Sequence, residues 1–126
     1  MPMILAIAFG GALGAVLRHF ANNALGAWLG GDFPGGIFVV NVAGSFAMGL
    51  LISLFVHVWE PPQAMKAFLT VGILGGFTTF STFSLDAVML VERGATGAAA
   101  LYVGGSVILA IGALYAGMAI VRMLAV

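Results

Sequence analysis

The sequence contains no cysteine, which removes disulfide frameworks and thiolate metal sites at once. It contains little charge: four Lys or Arg and four Asp or Glu in 126 residues. A soluble domain of this size needs more ions than that to wet its surface. No glycine stretch is followed by the Lys-Ser/Thr that a phosphate cradle needs. No nucleophile–base pair or metal-ligand cluster stands out, so an enzyme is not expected, and nucleic acid is not expected as a partner.

What is present is apolar surface. Hydrophobic residues make up 63% of the chain and the mean hydropathy is +1.21. Four stretches, residues 3–28, 37–59, 67–91 and 96–125, each meet the requirement of about 20 residues for a spanning helix. The linkers "GGDFPGG" (30–36), "EPPQAMK" (60–66) and "ERGATG" (92–97) carry the punctuation. Met1-Pro2-Met3 supplies no basic n-region, and the stretch after it exceeds a signal-peptide core, so it reads as a span. The expectation is an all-α membrane protein: a single four-span domain over 1–126, multi-pass in the cell inner or plasma membrane.

Charge leaves its orientation open. Lys66 and Arg122 fall on one side, Arg93 and Arg18 on the other, so the positive-inside rule has no bias to act on. Either another signal, such as the N-terminal amine, sets one orientation, or the chain inserts both ways and pairs with its inverted copy. Small residues repeat at helix-packing spacing: Gly10 with Gly14, Gly72 with Gly76, Ala113 with Gly117. They fit packing within one bundle as well as packing between subunits.

Polar residues inside the spans are functional candidates by default, because lipid gives them no partner. Arg18 and His19 lie in span one, Asn41 and Ser45 in span two, Tyr102, Ser106 and Tyr115 in span four. Arg18 can snorkel to the near interface, and His57 beside Trp59 reads as an interfacial anchor. Asn41 is different, since helix packing alone calls for no amide there and its side chain can donate two hydrogen bonds.

Span three holds the densest signal, "GGFTTFSTFSLD" (75–86). Gly75-Gly76 weakens a helix, and five hydroxyl residues follow within 78–84. The third helix is therefore expected to be broken near its middle. Broken backbone at this depth is tolerated only when it is buried in protein or faces a polar cavity, and its unpaired carbonyls can coordinate a cation. Helical beyond Gly76, the segment would put Phe80 and Phe83 on one face, with Thr79, Thr82 and Asp86 beside them. No carboxylate is centred in the membrane, as a proton-coupled cation exporter would require. Hydroxyl and amide donors with positive ring edges suit a small anion.

At these residues the sequence resembles the Fluc/CrcB family of fluoride ion channels over essentially its whole length. "GGFTTFSTFSLD" is similar to the family's most diagnostic motif, "GGALGAVLRH" (10–19) to its first-span signature and "VVNVAGS" (39–45) to its second. The resemblance implies an antiparallel dual-topology homodimer with two fluoride pathways, and a structural, non-transported Na+ held by main-chain oxygens. Carried over, those oxygens belong to Gly75 and Thr78. The pore phenylalanines fall on Phe80 and Phe83, the pore asparagine on Asn41 and the hydroxyl track on Ser81 and Thr82. Arg18, Asp86 and Tyr102 are candidates for vestibule or structural roles. Ile37, Phe77 and Asp86 depart from the family's usual residues, and none is expected to touch the proposed carbonyls or pore phenylalanines. The implied function is passive fluoride export that relieves the cytoplasm of a toxic anion. The alternatives are a small cation exporter, which would want an acid in span one where Arg18 stands, and a non-transporting four-span subunit, which has no need of a polar break.

Overall fold

The computed structural model describes residues 2–29, 31 and 33–125, and their regular structure is helical throughout. Four helical rods are long and apolar enough to cross a membrane: α1 (Met3–Leu29), α2 (Gly35–His57), a composite third rod (Gln63–Glu92) and a fourth, α6 (Thr96–Leu124). The shortest, at 23 residues, is about 35 Å long, enough to cross the hydrocarbon layer.

The ends follow from local chemistry. Pro34 precedes α2 and Pro62 precedes the third rod, each at the position where a missing N–H costs least. The third rod ends at Gly94, in the left-handed region at φ 80°. There the Gly94 N–H reaches Val91 O at 2.9 Å and the Ala95 N–H reaches Leu90 O at 2.9 Å. That pair of bonds is a Schellman motif, which only a residue without Cβ closes cheaply. It turns the chain directly into α6.

The third rod is a joined, bent helix. It begins as α3 (Gln63–Ala67), widens into a π-helical stretch (Phe68–Leu74) and returns briefly to α geometry as α4 (Gly75–Phe77). In the wide turn the Gly75 N–H reaches back five residues to Thr70 O. Thr78 (φ −84°, ψ 157°) and Thr79 (φ −151°, ψ 121°) are then extended, and α5 (Phe80–Glu92) follows. The interruption thus falls at the two threonines, not at the glycine pair that suggested it. Gly75 is right-handed helical, at φ −62° and ψ −39°. The glycines serve packing, because Gly76 lies against α1, where an added Cβ would sit 2.6 Å from Gly11 O.

Two close crossings hold the rods together. α1 meets the third rod through Gly10, Gly14, Gly72 and Gly76: a Cβ at Gly10 would lie 2.9 Å from Gly72 Cα, and one at Gly14 would overlap Ile73 O. α2 meets α6 in the same way, Gly49 against the main chain of Leu114 and Gly117 against that of Phe46 and Leu50. The small-residue repeats are therefore used within one chain. Gaps this narrow let backbones touch where lipid supplies no hydrophobic drive between helices. Large apolar side chains such as Phe9, Leu17, Ile108 and Leu109 face outward.

Gly14→Ala should destabilise the fold by about 2–4 kcal/mol, since the obstacle is main chain and cannot move aside. Gly26→Ala, where nothing lies within 4 Å of the new methyl, should be neutral or slightly stabilising. Chemical unfolding of both variants in detergent checks the contrast.

Candidate functional site

An interrupted helix leaves main-chain groups without helical partners at both ends of the break. Here α2 supplies the missing ones. The Thr79 N–H, which in a continuous helix would bond Gly75 O, donates instead to Asn41 Oδ1 at 2.9 Å. Asn41 Nδ2 donates back to Thr79 O at 3.1 Å. One amide side chain thus satisfies both main-chain groups of one residue. This is the requirement for an amide that packing alone does not reveal.

Thr79 is also the N-cap of α5. Its Oγ1 accepts from the Thr82 N–H at 3.2 Å and donates to Thr82 Oγ1 at 3.2 Å, with Ser81 Oγ at 3.4 Å. An N-cap oxygen of this kind stabilises a helix start by about 1 kcal/mol. On the other side of the break, Thr78 Oγ1 donates back to Leu74 O at 2.9 Å and closes the last turn of the upstream half.

Asn41, Thr78, Thr79, Phe80 and Phe83 line an open cleft of about 310 Å³ between α2, the break and α6. Ser45 and Ser106 add two hydroxyls, while Val107, Ala110 and Ile111 supply an apolar wall. Among the described residues, no charged side chain lines it. Phe80 and Phe83 are in ring contact, centroids 5.6 Å apart, but differ in setting: Phe80 is 78% exposed on the protomer and Phe83 8%. Phe83 also packs on Tyr102, centroids 5.1 Å apart, and the Tyr102 hydroxyl donates to Asp86 Oδ2 at 3.1 Å. The Asp86 carboxylate is therefore held by a phenol outside the cleft.

Of the expected pathway residues, Asn41, Phe80 and Phe83 come together at the cleft, as does Thr78. Ser81 and Thr82 do not line it; they cluster around the Thr79 hydroxyl. Gly75 is exposed beside the break and outside the cleft lining, and Arg18 lies on α1, half-buried and also outside the lining. Ile37, expected to leave the pore phenylalanines untouched, is buried in one cluster with Phe83, Leu90, Ala99 and Tyr102. Phe77 packs by Gly44, where an added Cβ would meet its ring at 3.3 Å.

Ser106 was not singled out as a site residue, yet it carries the least expected feature of the cleft. It is 6% exposed, and its Oγ is buried with no hydrogen-bond partner among the described residues. A buried hydroxyl normally finds a partner, so an unpaired one on a residue of the cleft wall marks a donor that the protein itself leaves unused. A signal was present: Tyr102 and Ser106 stand four apart on α6, as Asn41 and Ser45 do on α2.

Residues 5–118 match the family described as CrcB-like protein, Camphor Resistance (CrcB). The chain is 58% identical to a fluoride-specific ion channel FluC of Rhodospirillum centenum, over 97% of each chain. It is 53% identical to one of Nitrobacter winogradskyi, over 96% of each chain, and 55% identical to one of Methylobacterium nodulans, over 94% of each.

Ser106→Ala should leave the unfolding midpoint unchanged or raise it, because it removes a buried polar atom that costs about 1–3 kcal/mol when unpaired and breaks no bond within the protein. Thermal unfolding in detergent without added halide measures this.

Proposed function

The chain belongs to the CrcB-like family, and we propose on that basis that it is a multi-pass membrane channel conducting fluoride passively out of the cytoplasm. The observation that carries the reading is the unpaired Ser106 hydroxyl in an uncharged cleft beside Phe80 and Phe83. Moving a carboxylate-sized ion from water into a medium of low dielectric costs of order 20 kcal/mol, and fluoride, being smaller, costs more. The cleft offers replacements for its water. Ser45 and Ser106 bring hydroxyls, and the two rings bring edges that carry partial positive charge. Ring edges repel a cation, and among the described residues no carboxylate lines the cleft to couple a proton.

The reading includes an antiparallel homodimer. In the protomer Gly75, Phe80 and Ser81, which flank the break, are exposed, and Thr78 is half-buried. Irregular main chain is not tolerated against lipid. A second, inverted copy placed over this edge covers both breaks and closes the open side of each cleft. The near-even split of basic residues fits insertion in both directions.

It also includes a structural sodium ion at the break. The residues fit a hard monovalent cation: the carbonyls from Gly75 to Thr78 have no continuing helix to bond them, and oxygen dipoles without formal charge suit such an ion. Gly75 and Thr78 would hold it through main-chain oxygen. Bound there, sodium supplies positive potential close to the anion route without joining the flow.

Fluoride efflux from liposomes holding the purified protein, compared with chloride, tests the function: rapid fluoride loss with chloride retained is expected, and equal retention of both overturns it. An aromatic edge contact is worth about 0.5–1.5 kcal/mol, so Phe80→Ile or Phe83→Ile should each lower fluoride flux up to about ten-fold with the dimer intact. Full flux in both variants removes the rings from the pathway.

A further inference from the structure

The Asn41–Thr79 contact has a second end. A trans peptide unit is planar, with its N–H and C=O pointing in opposite directions. The described residues contain no cis peptide bond. The N–H of Thr79 and the carbonyl of Thr78 belong to the same unit, so whatever fixes the first aims the second. Asn41 Oδ1 fixes the first at 2.9 Å.

Asn41 Nδ2 meanwhile occupies the carbonyl of Thr79 at 3.1 Å. Two adjacent carbonyls at the break are thereby made unequal. That of Thr79 is bonded, and that of Thr78 accepts no hydrogen bond among the described residues. Donation from the N–H end of a peptide unit also polarises its carbonyl, which strengthens the free oxygen as a ligand for a cation.

We propose that Asn41 is a positioning residue for the cation at the break, aiming the Thr78 carbonyl through the Thr79 N–H and withholding the Thr79 carbonyl. The inference rests on the proposed sodium site and deepens it. Since Asn41 also lines the cleft, one side chain then joins the anion route to the cation beside it, and its role in conduction runs partly through main chain two residues from Phe80. Gly44, one turn along α2, makes the approach feasible, because a Cβ there would overlap the Thr78 methyl.

The test is thermal unfolding of the purified dimer in sodium chloride against N-methylglucamine chloride. A ligand bound only by the folded protein raises the midpoint with its concentration. The parent protein should show a sodium-dependent rise. Asn41→Leu, close in volume but without an acceptor, should need about ten times more sodium for the same rise, the effect of losing one hydrogen bond. Asn41→Asp keeps the acceptor that aims the Thr78 carbonyl, loses the Nδ2 donor and adds a negative charge near the cation, so it should need no more sodium than the parent, although a carboxylate on the cleft wall lowers fluoride flux. Ser53→Ala, which removes the Ser53 Oγ to Met118 O bond far from the break in sequence, should lower the midpoint equally in both salts.

No rise in the parent overturns the sodium reading and this inference with it. A normal rise in both the parent and Asn41→Leu overturns the positioning role alone and leaves the cation standing. If Asn41→Leu does not assemble, Asn41→Asp decides: a sodium requirement equal to or below the parent's supports the role, and a raised one overturns it.

Discussion

One amide on α2, held in both directions by one residue of the third rod, is the constraint on which the rest of the structure depends. Breaking a helix inside a membrane strands main-chain donors and acceptors where water cannot reach, at several kcal/mol for each unsatisfied group. Asn41 removes two of those penalties, at the N–H and the C=O of Thr79. The Thr79 hydroxyl and the Thr78 back-bond deal with two more positions around the break. What remains unbonded is concentrated at the carbonyl end of the upstream half, where a cation could use it.

The packing exists to bring that amide within reach. Asn41, Gly44 and Ser45 lie on one face of α2, with Gly44 small enough to let the helix close on Thr78 and Phe77. The upstream half of the third rod is fastened to α1 by the four-glycine crossing, and α2 is fastened to α6 by Gly49 and Gly117. These are two tight pairs, and the break lies where they meet. The cleft opens along that seam, which is why its lining draws on α2, the third rod and α6 together. The aromatic contacts from Phe33 and Phe38 through Tyr102 to Phe83 brace its far end.

Much of this was legible in the residues. Long apolar runs with almost no charge can only be spans, and hydroxyls grouped after a glycine pair announced irregular backbone at depth. The break lies at Thr78-Thr79, just past the Gly75-Gly76 pair that pointed to it, because glycine has two uses in a membrane helix. It loosens backbone, and it also permits close crossing. Nothing local says which applies, and here Gly76 is committed to α1. Ser81 and Thr82 form the hydroxyl track that the resemblance implies, yet the N-cap geometry of Thr79 draws them to itself. Ser106 was visible as a polar residue in span four, but not as an unpaired one.

The sequence by itself determined the class, the span count and the residue types at the site, because these depend on hydropathy, length and local composition alone. The tertiary structure decided where the helix breaks, which oxygens stay free and which hydroxyls face the cleft. Those are questions of hydrogen-bond partnership, and Asn41 and Thr79 are 38 residues apart in sequence. A partner that distant is specified by how α2 and the third rod are held against their neighbours, and no local pattern around either residue carries that information.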